Sequence, residues 1–220
     1  ITDAFTYAYG TDNAGGAIPF KHCILDPASQ PFKQALAEVE AFLATHPNEI
    51  MILIIEDHTR KLKRLAADFK KAGLVSFAHT QKSDAPWPTL EQMIKRNKRL
   101  VVFLHGDQDL EYAKYPWMHY LWEYAWDTKS DFKDVNQFKD NCYDTVPNRG
   151  KQAFADRNKE PKNKIFVVHH FLTELIGGSK AHALKANRKH VLRNRLKRLQ
   201  KETGHLPTIV QVDFFEHPAN

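Results

Sequence analysis

The sequence feature that most constrains the fold is an uninterrupted apolar run, Ile50–Ile55. A short run without alternation of polar and apolar residues is typical of a strand that is covered on both faces, as in parallel sheets flanked by helices. Two similar runs follow at Leu100–Leu104 and Ile165–Val168, and amphipathic helical patterns lie between the runs. Strands that alternate with helices in this way predict a parallel α/β fold.

With weaker candidates included, the sequence predicts seven strands: Ile1–Tyr7, Ile50–Glu56, Leu74–Phe77, Leu100–Leu104, Tyr120–Trp126, Ile165–His169 and Ile209–Phe214. The predicted helices follow Pro31, span Leu62–Lys71, begin at Thr89 and span Ala181–Glu202. Seven strands are one short of a (β/α)8 barrel, and the missing strand is expected ahead of Ile1. Because 220 residues suit one domain, we predict a single barrel domain over residues 1–220.

Charge and cysteine content exclude several classes of protein. Lys and Arg exceed Asp and Glu by six, which gives a pI near 9.2. The excess is local, because Lys180–His205 contains nine Lys or Arg residues and a single acid, Glu202. The apolar residues of this segment keep helical phase, so we interpret the charge as the solvated face of one helix and predict no nucleic-acid partner. The two cysteines, Cys23 and Cys142, exclude a disulfide-rich scaffold, but they leave open one disulfide or two thiols.

Histidines or carboxylates stand at the ends of four predicted strands. The motifs are Glu56-Asp57-His58, His105-Gly106-Asp107, His169-His170, and Asp213 in the last strand. In a barrel, reactive groups cluster at the carboxyl ends of the strands. Carboxylates together with imidazoles suit acid–base chemistry, a hard cation, or both. The sequence therefore predicts a polar site at this end of the sheet.

Five motifs in order resemble the phosphatidylinositol-specific phospholipase C X-domain family and the related PLC-like phosphodiesterases. They are His22-Cys23 ahead of a helix and of His46-Pro-Asn-Glu-Ile with Glu56-Asp57; Trp87-Pro-Thr-Leu ahead of Leu100–Phe103; Asn141-Cys-Tyr with Asn148-Arg-Gly; His170-Phe-Leu-Thr with Gly177-Gly-Ser; and Gln211-Val-Asp-Phe-Phe. The resemblance covers nearly the whole chain. It implies a distorted (β/α)8 TIM barrel that cleaves the phosphodiester of phosphatidylinositol or a related phospholipid through a cyclic phosphate.

In that family two histidines act as general base and general acid. His22 matches the acid, which protonates the departing diacylglycerol oxygen, and an imidazole suits this role because it titrates near neutrality. Asp213 resembles the last-strand carboxylate that orients the base histidine in some members. The base belongs to the family's first strand, and no histidine of this sequence stands in that context. We therefore expect a segment ahead of Ile1 to supply both the first strand and the base; a truncated chain and a non-catalytic descendant are the alternatives.

The resemblance also implies a metal and a lipid surface. Glu56 matches a ligand of the metal-dependent members and Asp3 is the second expected ligand, so we predict Ca²⁺, with Mg²⁺ or no metal as alternatives. Lys21, His105 and His170 are the predicted substrate contacts. The expected partner is a phospholipid at a membrane surface, and the expected location is secreted or membrane-associated. The alternative functions are a metal-dependent glycerophosphodiesterase, a sphingomyelinase-like enzyme and a non-catalytic lipid-binding protein.

Overall fold

The computed structural model of the chain describes residues 3–9, 32–57, 61–82, 85–105, 111–139, 165–173 and 179–214, with the backbone alone for residues 3–9 and Asp57. These residues belong to two compact units, residues 1–123 and 124–220. Within the described residues, the first unit has a sheet of four parallel strands and the second a sheet of three. The parallel α/β organisation is confirmed, while the closed barrel and the single domain over residues 1–220 stay predictions.

The first unit is built on β1 (Asp3–Tyr9), β2 (Met51–Asp57), β3 (Leu100–His105) and β4 (Met118–Tyr120), which lie side by side in that order. All three neighbouring pairs are parallel. Residues Leu100 to Leu104 of β3 are all buried. The prediction from the continuous apolar runs is therefore confirmed: these strands are apolar throughout because both of their faces are covered.

Helices α1 (Phe32–Thr45) and α2 (Leu62–Lys71) cover one face of this sheet. Their apolar residues share a core with alternate residues of β2 and β3: Phe32, Leu36, Val39, Leu43, Leu65 and Phe69 from the helices, and Met51, Leu53, Ile55, Leu100, Val102 and Leu104 from the strands. Side chains alternate along a strand, so the intervening residues, which end with Glu56 and His105, lie on the opposite face.

Three helices of the first unit begin and end where local sequence signals predict. α1 ends at Thr45, shortly before Pro47, and α2 has the predicted bounds. The short helix α3 (Leu90–Lys95) begins after Thr89, whose hydroxyl accepts a hydrogen bond from the backbone of Gln92 while the Gln92 side chain accepts one from the backbone of Thr89. This reciprocal capping box satisfies two amide groups that the first helical turn leaves without partners.

The segment after α2 differs from the prediction. The sequence predicts a strand at Leu74–Phe77, but Leu74–Ser76 forms a 3-10 turn. Gly73 adopts a left-handed conformation with φ of 76° at the end of α2, and Leu74 is fully buried directly after it. The apolar character of this segment reflects a buried turn beneath the helices. The segment joins the sheet at Ala78, which bridges Leu100, and the flanking Phe77 and His79 hydrogen-bond to the backbone of Leu100.

The second unit is built on β5 (Ala125–Asp127), β6 (Ile165–His169) and β7 (Ile209–Gln211). The rings of Trp126 and Phe166 stack across the first pair with centroids 3.7 Å apart. These rings belong to a core that also contains Phe132, Phe138, Val168, Leu172, Ala186 and Leu199. The residues that follow the apolar part of each strand, Asp127, His169 and Asp213, therefore stand at the edge of a packed apolar layer.

Two predicted elements of the chain are divided in the structure. The predicted strand Tyr120–Trp126 is interrupted by a helical turn, α4 (Leu121–Tyr124). The predicted helix Ala181–Glu202 is two helices, α5 (Lys180–Ala186) and α6 (Lys189–Thr203), with Asn187 at the end of α5. The helices separate at Arg188, whose ψ of 127° lies outside the helical region. Within the described residues, no helix is both long enough and apolar enough to span a membrane.

Candidate functional site

In the first unit, Glu56 and His105 come together at the carboxyl edge of the sheet. They are paired residues of β2 and β3, so their side chains point to the same face, opposite the core beneath α1 and α2. Both side chains are half-buried. The ring of His105 packs edge-on against Trp122, with centroids 5.0 Å apart and an interplanar angle of 87°. A carboxylate and an imidazole on one half-buried edge can bind a polar head group or exchange protons with it.

The structure separates the two predicted metal ligands. Asp3 pairs with Met51, at the beginning of β2, whereas Glu56 pairs with Ala8. Five residues of strand separate these two register positions, which is about 16 Å at about 3.3 Å per residue. One ion cannot bridge that distance, since Ca²⁺–oxygen bonds are about 2.3–2.6 Å long. The pairing of Asp3 with Glu56 on one ion therefore does not fit this register, and no group of three His, Cys, Asp or Glu side chains able to hold a metal occurs among the described residues.

Two of the predicted site residues, Lys21 and His22, lie outside the described residues, as do both cysteines, Cys23 and Cys142. The roles of Lys21 as a substrate contact and of His22 as the general acid stay predictions. Whether the two cysteines form a disulfide or remain thiols also stays open.

Asp213 was predicted within the last strand, Ile209–Phe214, but β7 ends at Gln211. It follows β7 by two residues and is half-buried. The side-chain amide of Asn187 donates a hydrogen bond of 2.9 Å to the backbone carbonyl of Asp213. The next residue, Phe214, has a positive φ of 50°, so the chain turns directly after the carboxylate. The end of α5 thus holds the turn that carries Asp213.

A buried histidine–carboxylate pair, Asp127 and His169, lies at the carboxyl ends of β5 and β6. His169 Nε2 is 2.9 Å from Asp127 Oδ2, and the side chains are 10% and 0% exposed. Asp127 pairs in register with Val167, so His169 is the diagonal neighbour on the same face. The sequence predicted His169 at a strand end, but Asp127 was not predicted as a site residue. Asp127 directly follows the weak strand candidate Tyr120–Trp126. The carboxyl ends of neighbouring parallel strands lie at one edge of a sheet, so this position predicts that Asp127 lies near His169, which ends the next strand.

Arg195 of α6 organises the residues around this pair. Its guanidinium donates to the backbone carbonyl of His169 at 2.6 Å and to Thr128 Oγ1 at 3.3 Å, and it lies 4.2 Å from the centroid of the Phe138 ring. The sequence predicted that all the charge of this helix lies on a solvated face. That assignment is wrong for Arg195, which is 3% exposed, because the helix turns this residue towards the core beside Leu199.

His170, a predicted substrate contact, lies in the core with no exposed surface. Its Nδ1 accepts a hydrogen bond from Arg195 at 3.2 Å, and its Nε2 donates to the carbonyl of Ala186 at 2.8 Å. The ring also stacks on Phe138, with centroids 4.8 Å apart. Burial, reinforced by the positive charge of Arg195, lowers the pKa of His170 from 6.5 to about 4. The structure therefore gives this neutral imidazole a structural position that joins β6 to the end of α5.

A family model described as PI-PLC X 1 matches residues 6–219. Among curated proteins, the chain is 36% identical over 157 residues to a PI-PLC X domain-containing protein of Arabidopsis thaliana, covering 69% of this chain and 34% of that protein. It is 26% identical over 161 residues to PI-PLC X domain-containing protein 1 of Arthroderma benhamiae, covering 71% of this chain and 48% of that protein. The chain thus spans less than half the length of either relative.

The fold is similar to that of a solved structure, the phosphatidylinositol-specific phospholipase C of Listeria monocytogenes. The superposition has a TM-score of 0.56 at 16% identity and covers 96% of this chain and 73% of the other. The likeness at that identity concerns the fold, whereas the family model supports membership over almost the full sequence. The chain therefore belongs to the PI-PLC X domain family.

Proposed function

We propose that the chain is the catalytic domain of a phospholipase C-type phosphodiesterase that cleaves phosphatidylinositol or a related phospholipid. The observation that carries the proposal is the family match over residues 6–219. The half-buried pair Glu56 and His105 at the carboxyl edge of β2 and β3 supports it, because this is the edge at which barrel enzymes place reactive groups.

In the proposed reaction, histidines transfer the protons. A base removes the proton of the inositol 2-hydroxyl, whose oxygen attacks phosphorus to form a cyclic phosphate. The bond from phosphorus to the diacylglycerol oxygen breaks, and His22 donates a proton to that oxygen. Each transfer by a well-placed imidazole contributes about 10²–10⁴ in rate. The register of β1 with β2 does not support a metal held jointly by Asp3 and Glu56.

The test uses a substrate analogue and a pair of histidine variants. The full-length protein is expected to cleave phosphatidylinositol but not its 2-deoxy-inositol analogue, which lacks the attacking hydroxyl. A glycerophosphodiesterase or sphingomyelinase-like enzyme attacks with water and would cleave both. His22→Ala should lower kcat by at least about 10²-fold, while His190→Ala, at an exposed position of α6, should not. A wild-type protein that binds lipid vesicles but turns over neither substrate would support the non-catalytic alternative.

A basic stripe on α6 supports an anionic membrane surface as the partner. Lys189, Arg193, Lys197 and Lys201 follow one another at every fourth residue and are all exposed. Like charges at this spacing repel and cost a helix about 0.2–0.5 kcal/mol per pair. The single acid of the helix, Glu202, forms an ion pair of 3.4 Å with Arg198, which is not a residue of the stripe.

The stripe is tested by vesicle sedimentation. Each Lys or Arg near an anionic leaflet contributes about 1 kcal/mol. Replacing all four stripe residues with Gln should therefore weaken binding to phosphatidylserine-containing vesicles by about 10²–10³-fold. The matched control replaces four exposed lysines of α1 and α2, Lys33, Lys63, Lys70 and Lys71, which changes the net charge equally. Equal losses for both variants would show that only the overall charge matters and would remove the stripe from the proposal.

A further inference from the structure

The contact between Asp127 and His169 decides which ring nitrogen of His169 accepts a hydrogen bond. A carboxylate without a proton only accepts hydrogen bonds, and His169 Nε2 lies 2.9 Å from Asp127 Oδ2. In the tautomer that satisfies this contact, the ring hydrogen sits on His169 Nε2 and points at Asp127 Oδ2. The lone pair of the neutral imidazole is then on Nδ1. The carboxylate thus makes Nδ1 a hydrogen-bond acceptor, in the way that a buried carboxylate sets the tautomer in a catalytic triad.

That acceptor is buried, and no described residue donates a hydrogen bond to it. The side chain that carries it is only 10% exposed. A buried acceptor left without a donor costs about 1–3 kcal/mol. The chain tolerates this cost at the carboxyl end of a parallel strand, where ligands of α/β folds bind.

The backbone of His169 is held on both sides, so the ring cannot easily turn towards another partner. Its amide donates to Thr128 Oγ1 at 3.0 Å and its carbonyl accepts from Arg195 at 2.6 Å. The ring also lies edge-on to Phe171, with centroids 5.5 Å apart. The acceptor is therefore preorganised before any ligand arrives, which lowers the entropic cost of binding.

We propose that His169 Nδ1 accepts a hydrogen bond from a hydroxyl of a polyol ligand, so that Asp127 and His169 form a hydroxyl-recognition subsite of the second unit. The polyol is taken to be the substrate head group, and this identity rests on the proposed function. A phosphate offers no donor when fully ionised and is repelled by Asp127. An ammonium group would lose its hydration at greater cost than a neutral hydroxyl.

The first test is nuclear magnetic resonance of the unaltered protein with ¹⁵N-labelled histidine, titrated with myo-inositol. The Nδ1 resonance of His169, assigned by its loss in His169→Gln, should move towards the position of a hydrogen-bonded nitrogen while Nε2 stays protonated. Permethylated myo-inositol, which has the same ring but no donor, should leave it unmoved. An Nδ1 resonance that does not move at saturating myo-inositol overturns the inference.

The second test is Asp127→Asn, which keeps the size of the side chain and removes the charge that selects the tautomer. The dissociation constant of myo-inositol should rise by about two- to tenfold, since a hydrogen bond contributes about 0.5–1.5 kcal/mol. The KM for a soluble phosphatidylinositol should rise by the same factor while kcat stays nearly constant, the signature of lost uniform binding. His190→Gln, at an exposed position of α6, is the matched control.

The outcomes separate this inference from the proposed function. A protein whose His169 responds to myo-inositol but which never cleaves phosphatidylinositol contradicts the proposed function alone. An active enzyme whose His169 is indifferent to myo-inositol contradicts the inference alone. If Asp127→Asn slowed turnover by about a hundredfold or more while KM stayed unchanged, the inference would also be overturned, because the pair would then act in proton transfer.

Discussion

Arg195→Met tests whether the buried guanidinium holds the second unit together. Met matches Arg closely in helix propensity and fills a similar volume, so the substitution removes mainly the charge and its donors. Two buried acceptors would lose their Arg195 donor, the carbonyl of His169 at 2.6 Å and His170 Nδ1 at 3.2 Å. Thr128 Oγ1 would lose a third bond, at 3.3 Å, but keeps the amide of His169 as a donor. The guanidinium also lies over the Phe138 and Phe132 rings at 4.2 and 4.9 Å, and those contacts are lost as well.

The magnitude follows from these contacts. Each orphaned buried acceptor costs about 1–3 kcal/mol, and the desolvation of the buried charge, which the variant no longer bears, offsets part of the loss. We expect a net decrease in the free energy of unfolding of about 3 kcal/mol. In urea this corresponds to a midpoint lower by about 1–3 M, for slopes of about 1–3 kcal/mol per molar.

The control lies on the same helix. Arg193 is exposed, whereas Arg195 is 3% exposed, so Arg193→Met should change the free energy of unfolding by no more than about 0.5 kcal/mol. Unfolding of both variants is followed by far-ultraviolet circular dichroism. The pKa of His170 provides a second readout, since it should rise in Arg195→Met when the adjacent positive charge is removed. Equal midpoints for the two variants would refute the view that burial makes Arg195 different.

Three further predictions concern pH, the register of β1 and a helix cap. Burial lowers the pKa of both His119 and His170 from 6.5 to about 4. Between pH 6.5 and 4 the unfolded chain therefore binds protons that the folded chain does not. The free energy of unfolding should have its full value above about pH 6.5 and should fall by up to about 1.4 kcal/mol per pH unit for each histidine down to about pH 4. His119→Gln should therefore flatten the slope of urea midpoints between pH 7 and 5, and an unaltered slope would contradict this. Asp3→Asn should change kcat/KM less than about twofold, because Asp3 lies at the opposite end of its strand from the position paired with Glu56, whereas Glu56→Gln should lower it by about tenfold or more; equal effects would restore the paired-ligand hypothesis. Thr89→Ala removes the capping box of α3 and should cost about 1 kcal/mol in chemical denaturation, and a loss below about 0.3 kcal/mol would show that the cap is redundant.

The first unit shows how far periodicity carries a prediction. The buried runs of β2 and β3 and the apolar stripes of α1 and α2 are local patterns, and each was found with bounds close to those predicted. The strand predicted at Leu74–Phe77 was wrong, because a short apolar segment is equally compatible with a strand and a buried turn. The conformation of Leu74–Phe77 depends on Gly73, whose left-handed backbone ends α2 directly ahead of this segment.

The site depended more on long-range contacts. The sequence predicted Glu56 and His105 at one edge of the sheet, since both end strongly apolar strands. Their direct pairing came from the structure, because the strand predicted between them at Leu74–Phe77 is absent and Leu74–Ser76 forms a 3-10 turn. Asp3 was misplaced relative to Glu56, because sequence spacing does not determine the register of two parallel strands. Asp127 and His169 are 42 residues apart, and the short strand β5 that carries Asp127 is a weak pattern by itself.

The sequence by itself determined the alternation of strands and helices, the family, and the edge of the sheet at which polar groups collect, because hydrophobic periodicity and motif order are local properties. The tertiary structure decided which polar residues are exposed. Arg195 and Arg193 belong to one basic helix, yet packing against Phe132 and Phe138 buries the first and leaves the second in solvent. His169 and His170 are adjacent, yet one joins Asp127 at the strand end and the other lies in the core, since successive side chains of a strand point to opposite faces.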